Sequence, residues 1–320
     1  MALSLDSINF DYGNQTIEAI PVQNLIRHGL RRLTPLPIPA CNGLILISHY
    51  DVNKIWVLWN PLTQEFYELP EYDCTDFDLH GSGLGYDCAD DDFKVVRINR
   101  KYHTQNHLDK TLIYSLKYDS WKWIKDCPVD ISWWSQGIYL NGALYWMSWD
   151  YIIALDLSTK DYRQLPLPFV DSELRTYSDV NLDVLSGCLV VSCKRETKFD
   201  GWVMKENGRN ISWTKLFSFP NLDDIGDMGH LRLITYSKSY KHVLLQHNKK
   251  EFFWLDTDNS SAKKIQMHGH YRRFSCQVWQ RSLFRFENIV DGGEDIGAKR
   301  TGRVKKMMEK KRLKLEITIT

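Results

Sequence analysis

Ile55-Trp56-Val57-Leu58-Trp59-Asn60, then Pro61-Leu62-Thr63-Gln64, then Glu65-Phe66-Tyr67-Glu68-Leu69 is the stretch that decides the fold. A short apolar run closes on a small polar residue, an aromatic follows at position 66 and an aliphatic at position 69. The cadence returns as Ser115, Trp121 and Ile124, and again as Asp156, Tyr162 and Leu165. It returns once more as Asp256, Ala262 and Ile265, with the aromatic lost. A further copy, Trp202-Val203-Met204 followed by Trp213 and Leu216, carries a turn longer by about four residues. Anchors at 60, 115, 156, 203 and 256 are separated by 55, 41, 47 and 53 residues. Strand repeats of roughly 40–50 residues mark propeller blades. One such unit cannot bury both of its faces alone, so neighbours must stack.

The pattern around each anchor supplies further strands. Apolar runs at 44–47, 93–98, 143–147, 188–193 and 242–246 each precede a second run at 55–59, 112–117, 152–157, 202–205 and 252–256. Their lengths suit buried strands. Turns near 60–65, 116–120, 157–161 and 257–261 are short, whereas 71–82, 99–110, 127–136, 167–181, 194–201 and 218–230 read as long connections. In a four-stranded antiparallel unit, the link between second and third strands and the link to the next unit leave on the same side. Binding residues gather on long loops held by a rigid scaffold, which makes that rim the expected recognition surface. Residues 1–40 are irregular, with Pro35, Pro37 and Pro39 enforcing an extended connector. Five blades are legible, and a sixth is expected from residues 3–22 with 271–290. The expectation is therefore an all-β, irregular kelch-like β-propeller of six blades over residues 41–290, an N-terminal extension over 1–40, and a flexible basic tail over 291–320.

Composition narrows the function classes. Twelve Trp and sixteen Tyr are many for 320 residues and point to broad packing surfaces. Seven Cys without a Cys-x-x-Cys pair give neither a disulfide framework nor a structural zinc site, which fits reduced thiols in the cytoplasm or nucleus. No apolar run is long enough to span a bilayer, and no membrane association is expected. Residues 298–320 carry nine Lys/Arg against two Glu, so the remaining 297 residues are mildly acidic, which argues against nucleic acid binding on the body. Lys299-Arg300 and, nine residues on, Lys310-Lys311-Arg312 approximate a bipartite nuclear import signal.

Several motifs in chain order carry a family resemblance. Cys41-Asn42-Gly43-Leu44 precedes Trp59-Asn60-Pro61, and Gly83-Leu84-Gly85-Tyr86-Asp87 runs into Asp91-Asp92-Phe93-Lys94-Val95-Val96. Asn141-Gly142-Ala143-Leu144-Tyr145-Trp146, Leu185-Ser186-Gly187-Cys188-Leu189 and Trp202-Val203-Met204-Lys205-Glu206 follow. Together they resemble the plant F-box-associated domain, closest to F-box/kelch-repeat proteins that restrain plant defence signalling. Leu84 stands where the family has an aromatic, Tyr145 where it has His, and Gly201 where it has an aliphatic, the last marking a bulge. The resemblance implies the substrate-receptor part of a Skp–cullin–F-box ubiquitin ligase. No F-box is recognisable in residues 1–40, so the Skp-type adaptor and cullin are expected partners only if an F-box is supplied elsewhere. An F-box-less decoy or scaffold, and a propeller enzyme acting on glycans, are the alternatives.

No catalytic constellation emerges, and no enzyme activity, cofactor or metal is expected. Asp87, Asp90, Asp91 and Asp92 lack the alternating ligands of a calcium loop and read as a hairpin turn. His103 with His107, and His268 with His270, lack a third ligand. The expected partner-binding residues are the aromatics Trp133 and Trp134, with Trp149 and Tyr151, because such side chains dominate interface hot spots. Tyr50, Tyr102, Arg195 and Phe199 on equivalent loops complete the set.

Overall fold

The computed structural model describes residues 16–17, 40–48, 56–63, 65–72, 77–101, 109–128, 131, 135–169, 180–195, 198–207, 210–220, 225, 229–236, 241–267 and 282–286. Among these residues the elements are strands: β1 (Thr16–Ile17), then five antiparallel units of four. The first unit holds β2 (Ala40–Cys41), β3 (Leu44–Ser48), β4 (Trp56–Asn60) and β5 (Glu65–Glu68). The second holds β6 (Phe77–Asp87), β7 (Asp92–Lys101), β8 (Lys110–Ser115) and β9 (Ser120–Trp123). The third runs through β10 (Ser135–Leu140), β11 (Ala143–Met147), β12 (Tyr151–Asp156) and β13 (Tyr162–Pro166). The fourth has β14 (Val180–Leu185), β15 (Cys188–Lys194), β16 (Lys198–Asn207) and β17 (Asn210–Pro220). The fifth has β18 (Leu231–Tyr236), β19 (His242–His247), β20 (Glu251–Asp256) and β21 (Ala262–Met267).

Period-two alternation explains the stacking. In the third unit Leu144, Trp146, Ile153 and Leu155 pack with Val96, Ile98 and Ile113 of the second. Their alternates Tyr145, Met147, Ile152 and Ala154 pack with Leu189, Val191 and Met204 of the fourth. The first and second units share a further cluster, and the fourth and fifth another. The second, third and fourth sheets each bury both faces against their neighbours, the first and fifth each bury one against theirs, and the all-β propeller class follows.

The cadence has a local cause. Asp156 Oδ1 accepts from the Ser158 and Thr159 amides, each at 2.9 Å, and Asp256 Oδ1 does the same with Asp258 and Asn259. Asn60 caps its turn likewise, and Ser115 accepts from the Tyr118 amide while Asp92 takes that of Lys117. The anchor is small and polar because its side chain must fold back on the two amides of its own turn. The later aromatic is a strut between blades. Trp121 Nε1 donates to Pro70 O at 2.8 Å and Trp213 Nε1 to Pro166 O at 2.9 Å, while the Tyr162 and Thr111 hydroxyls meet at 2.6 Å. On the same side, the first-to-second-strand hairpins turn on Asn42-Gly43, Asn141-Gly142 and Ser186-Gly187, both residues of each pair at positive φ. Such turns match the twist of the flanking strands.

Blades two and three fuse into one sheet, β10 lying parallel to β6 with Gly137 opposite Gly83. The Trp146 indole covers this seam and donates to Ser82 O at 3.1 Å. A Cβ on Gly137 would stand 2.7 Å from the indole ring. Blades four and five are tied at their first strands. Asn181 Nδ2 donates to Leu231 O, and Arg232 reaches Asp183 at 3.2 Å. Asp183 Oδ2 has no hydrogen-bond partner among the described residues, and burial, opposed by Arg232, raises the carboxyl from 3.8 to about 6.

Four expectations are corrected. The stretches 71–82, 127–136, 194–201 and 218–230 are partly strand, because β6, β10, β16 and β17 reach into them. Phe199 therefore belongs to β16 and is fully buried among Phe217 and Phe219. The longer fifth copy lengthens the strands β16 and β17, which pair as far as Asn207 with Asn210, and not the turn. Gly201 does sit at a bulge, where Phe217 leaves no room for a side chain. Residues 282–286, expected in a sixth blade, lie on the first two blades, and β1 adds to the fifth sheet in parallel with β21. The rest of 3–22 and 271–290 is outside the described residues.

Gly137→Ala is expected to cost about 1–3 kcal/mol through overpacking and Trp146→Ala about 3–5 kcal/mol through the cavity. In the double variant the glycine cost disappears, which urea denaturation measures as a coupling energy. The raised Asp183 carboxyl makes the protonated acid the form the fold prefers. Its contribution is full below pH 3.8 and lost as pH rises through about 6, on the order of 3 kcal/mol in total. Wild-type stability should therefore fall relative to Asp183→Asn between pH 4 and pH 7, and a constant difference would contradict the assignment.

Candidate functional site

The second-to-third-strand connections of the third and fourth blades carry aromatic and cationic groups that reach the surface. In the third blade this connection is a tight hairpin. The Ser148 amide donates to Tyr151 O at 2.8 Å, leaving Trp149 and Asp150 at the tip. Ser148 is buried and bridges to Ile131, itself 2% exposed. On this fixed base Trp149 stands 67% exposed and Tyr151 43% exposed. Large aromatic surface held in water by a rigid hairpin is a ready anchor for another chain, because little conformational entropy is lost on contact.

The corresponding connection of the fourth blade supplies Arg195. Its amide donates to Lys198 O at 2.8 Å, and its guanidinium lies 5.6 Å from the Phe169 ring and 6.0 Å from the Trp202 ring. Phe169 and Trp202 pack at 5.1 Å, and Lys215 Nζ lies 5.6 Å from the Trp202 ring. Two cations thus share one indole, an arrangement in which ring quadrupoles hold the charge in place. Lys215 also pairs with buried Asp200 at 2.9 Å. Burial pushes the Asp200 carboxyl up, but the Ser218 hydroxyl and Lys215 outweigh it and hold the group below the ordinary range.

Of the residues expected from sequence, Trp149, Tyr151 and Arg195 fall on these connections, whereas Phe199 is core. Trp133, Trp134, Tyr50 and Tyr102 lie outside the described residues, as do Lys299, Arg300, Lys310, Lys311 and Arg312. Phe169, Trp202 and Lys215 were not expected at a site. The legible hint was Trp202 beside Gly201, an aromatic next to a residue that bends its strand. Asp87 caps the β6–β7 turn through the Ala89 and Asp90 amides, while Asp90 and Asp92 both hold Lys94. These carboxylates are engaged by the chain itself.

Residues 1–284 match the family model described as the F-box associated beta propeller domain. The chain belongs to that family. It is 26% identical over 294 residues to F-box protein CPR1 of Arabidopsis thaliana, covering 81% of this chain and 70% of that protein. An F-box/kelch-repeat protein of the same plant is 34% identical over 202 residues, which is 58% of this chain and 53% of that protein. The chain thus spans about half to 70% of these relatives. Among solved structures, YjhT superposes with a TM-score of 0.50 at 10% identity, over 76% of this chain and 87% of that one, a likeness of fold alone.

Proposed function

We propose that this chain is the target-recognition part of a Skp–cullin–F-box ubiquitin ligase, gripping a target protein on the rim formed by the second-to-third-strand connections and the links between blades. The observation that carries the reading is Trp149, 67% exposed on a two-residue hairpin anchored by buried Ser148. Trp149 and Tyr151 insert into the target, and Arg195, steadied on Phe169 and Trp202, takes a carboxylate or backbone carbonyl beside them. Trp133, Trp134, Tyr50 and Tyr102 belong to the same surface in this reading. The domain acts without chemistry of its own; ubiquitin transfer falls to the partners, and the Skp-type adaptor joins only where an F-box is supplied elsewhere.

The double variant Trp149→Ala/Tyr151→Ala tests this surface. Tagged wild type and variant are captured from plant cells treated with a proteasome inhibitor, and bound proteins are quantified by mass spectrometry. Targets held by wild type should fall at least tenfold in the variant, while its Tm stays within about 3 °C because both side chains are exposed. Equal capture by the two proteins would refute the surface. We assign the basic tail, residues 291–320, to nuclear import through Lys299-Arg300 and Lys310-Lys311-Arg312. Deleting residues 298–320 from a fluorescent fusion should lower its nuclear fraction, and an unchanged distribution would remove the assignment.

A further inference from the structure

Residues 282–286 form a clasp over the seam between the first two blades, on the side opposite the Trp149 hairpin. Phe286 is 1% exposed and stacks on Tyr67 at 5.5 Å, and Phe284 meets Phe93 at 4.9 Å. Asn60 Nδ2 donates to the Ser282 and Phe284 carbonyls at 2.9 and 2.8 Å. Glu65 accepts from the Phe286 amide at 3.2 Å and pairs with Arg285 at 3.3 Å. Three positions of the first blade's last hairpin, Asn60, Glu65 and Tyr67, thus hold this peptide by both its backbone and its side chains.

The repeat places the same positions in the second blade. Asn60 faces Glu65 across its hairpin as Ser115 faces Ser120, and Leu58 faces Tyr67 as Ile113 faces Lys122. Ile113, Ser115, Ser120 and Lys122 line an open cavity of about 340 Å³, bordered by Ser158 and Lys160 of the third blade and by the carboxylates Asp87 and Asp90, which are paired with lysines. Where the first seam is filled by the clasp, the second is open at the equivalent place. Its chemistry is reversed: Glu65, which takes a cation from the clasp, is replaced by Ser120, and the Tyr67 ring by the Lys122 ammonium. The neighbouring cations are already matched, Lys94 by Asp90 at 2.8 Å and Asp92 at 2.6 Å, and Lys160 by Asp87 at 3.2 Å. Lys122 has no carboxylate partner among the described residues. The Ser115 hydroxyl donates to Asp92 and accepts from the Tyr118 amide, so it is already engaged. Ser120 and Ser158 supply the hydroxyls for a peptide backbone.

We propose that this cavity is a second docking groove, independent of the Trp149 rim, which takes an extended acidic segment of a partner protein in the manner in which the first seam takes residues 282–286. A partner Asp or Glu pairs with Lys122, and the adjoining backbone carbonyls accept from Ser120 and Ser158. The probe is a fluorescein-labelled octapeptide of alternating Glu and Ser, followed by anisotropy on the full chain, with an alternating Lys and Ser peptide as comparison. The acidic peptide should bind and the basic one should not. Lys122→Glu should weaken binding at least tenfold by reversing the charge, and Ser120→Trp should do so by filling the space. Trp149→Ala/Tyr151→Ala should bind the peptide as wild type does, which separates this groove from the target rim. Absence of acidic-peptide binding to wild type overturns the proposal. So does binding that survives both Lys122→Glu and Ser120→Trp, including binding that disappears only when residues 298–320 are removed.

Discussion

The structure depends on the contact of whole sheet faces between consecutive blades. Each sheet carries apolar side chains on both sides, so no blade satisfies itself, and the burial of Leu144 or Ile153 exists only because another blade stands opposite. The constraint is sharpest at the seam between blades two and three. There the β6 and β10 backbones hydrogen-bond directly, and the Trp146 indole rests where Gly81, Gly83 and Gly137 have no side chains. A side chain at those glycines would meet Ile131, Leu144 or the Trp146 ring at 2.3 to 2.9 Å, closer than packed atoms allow. Elsewhere the ties are more local: tryptophan N–H groups on prolyl carbonyls, and Arg232 on Asp183.

Much of this was legible because the repeat is driven by hydrogen-bond geometry. Asn60, Ser115, Asp156 and Asp256 are interchangeable only in having an oxygen that reaches the next turn's amides, and that requirement writes itself into the sequence at a fixed place. The aromatic of the cadence is a polar strut where it is Trp121, Tyr162 or Trp213, stacks on Trp59 of its own blade where it is Phe66, and is lost at Ala262. The first strand of each blade was harder to read. Sequences such as Gly81-Ser82-Gly83 or Val180-Asn181-Leu182-Asp183 mix glycine and polar residues, since they lie at backbone contacts and ion pairs instead of inside an apolar face. Phe199 was placed on a loop for the same reason: Lys198 and Asp200 on either side disguised a strand whose charges pair with Lys215 and one another.

The candidate site was legible only in kind. Exposed aromatics could be nominated from sequence, but only the geometry separates Trp149, held out on a hairpin, from Phe199, buried in the next seam. The Arg195, Phe169 and Trp202 stack joins residues from an inter-blade link, a turn and a strand. No spacing rule connects them, because their proximity is a product of blade packing. The two sides of the disc also differ in character. Among the described residues, Trp149 and the Arg195–Trp202 stack lie on one, whereas Asp87, Asp90, Lys94 and Lys160 on the other neutralise each other around tight turns.

The clasp gives the chain an unusual order of assembly. Asn60 finds its carbonyl partners 222 and 224 residues further on, so the early hairpin stays incomplete until synthesis has passed the last blade. Contacts of such long sequence separation are slow to form, and Tyr67 and Phe93 remain uncovered in the meantime. A nascent chain stalled before Ser282 would present that aromatic groove to the ribosome exit and to chaperones, making the first half of the ring the last to mature.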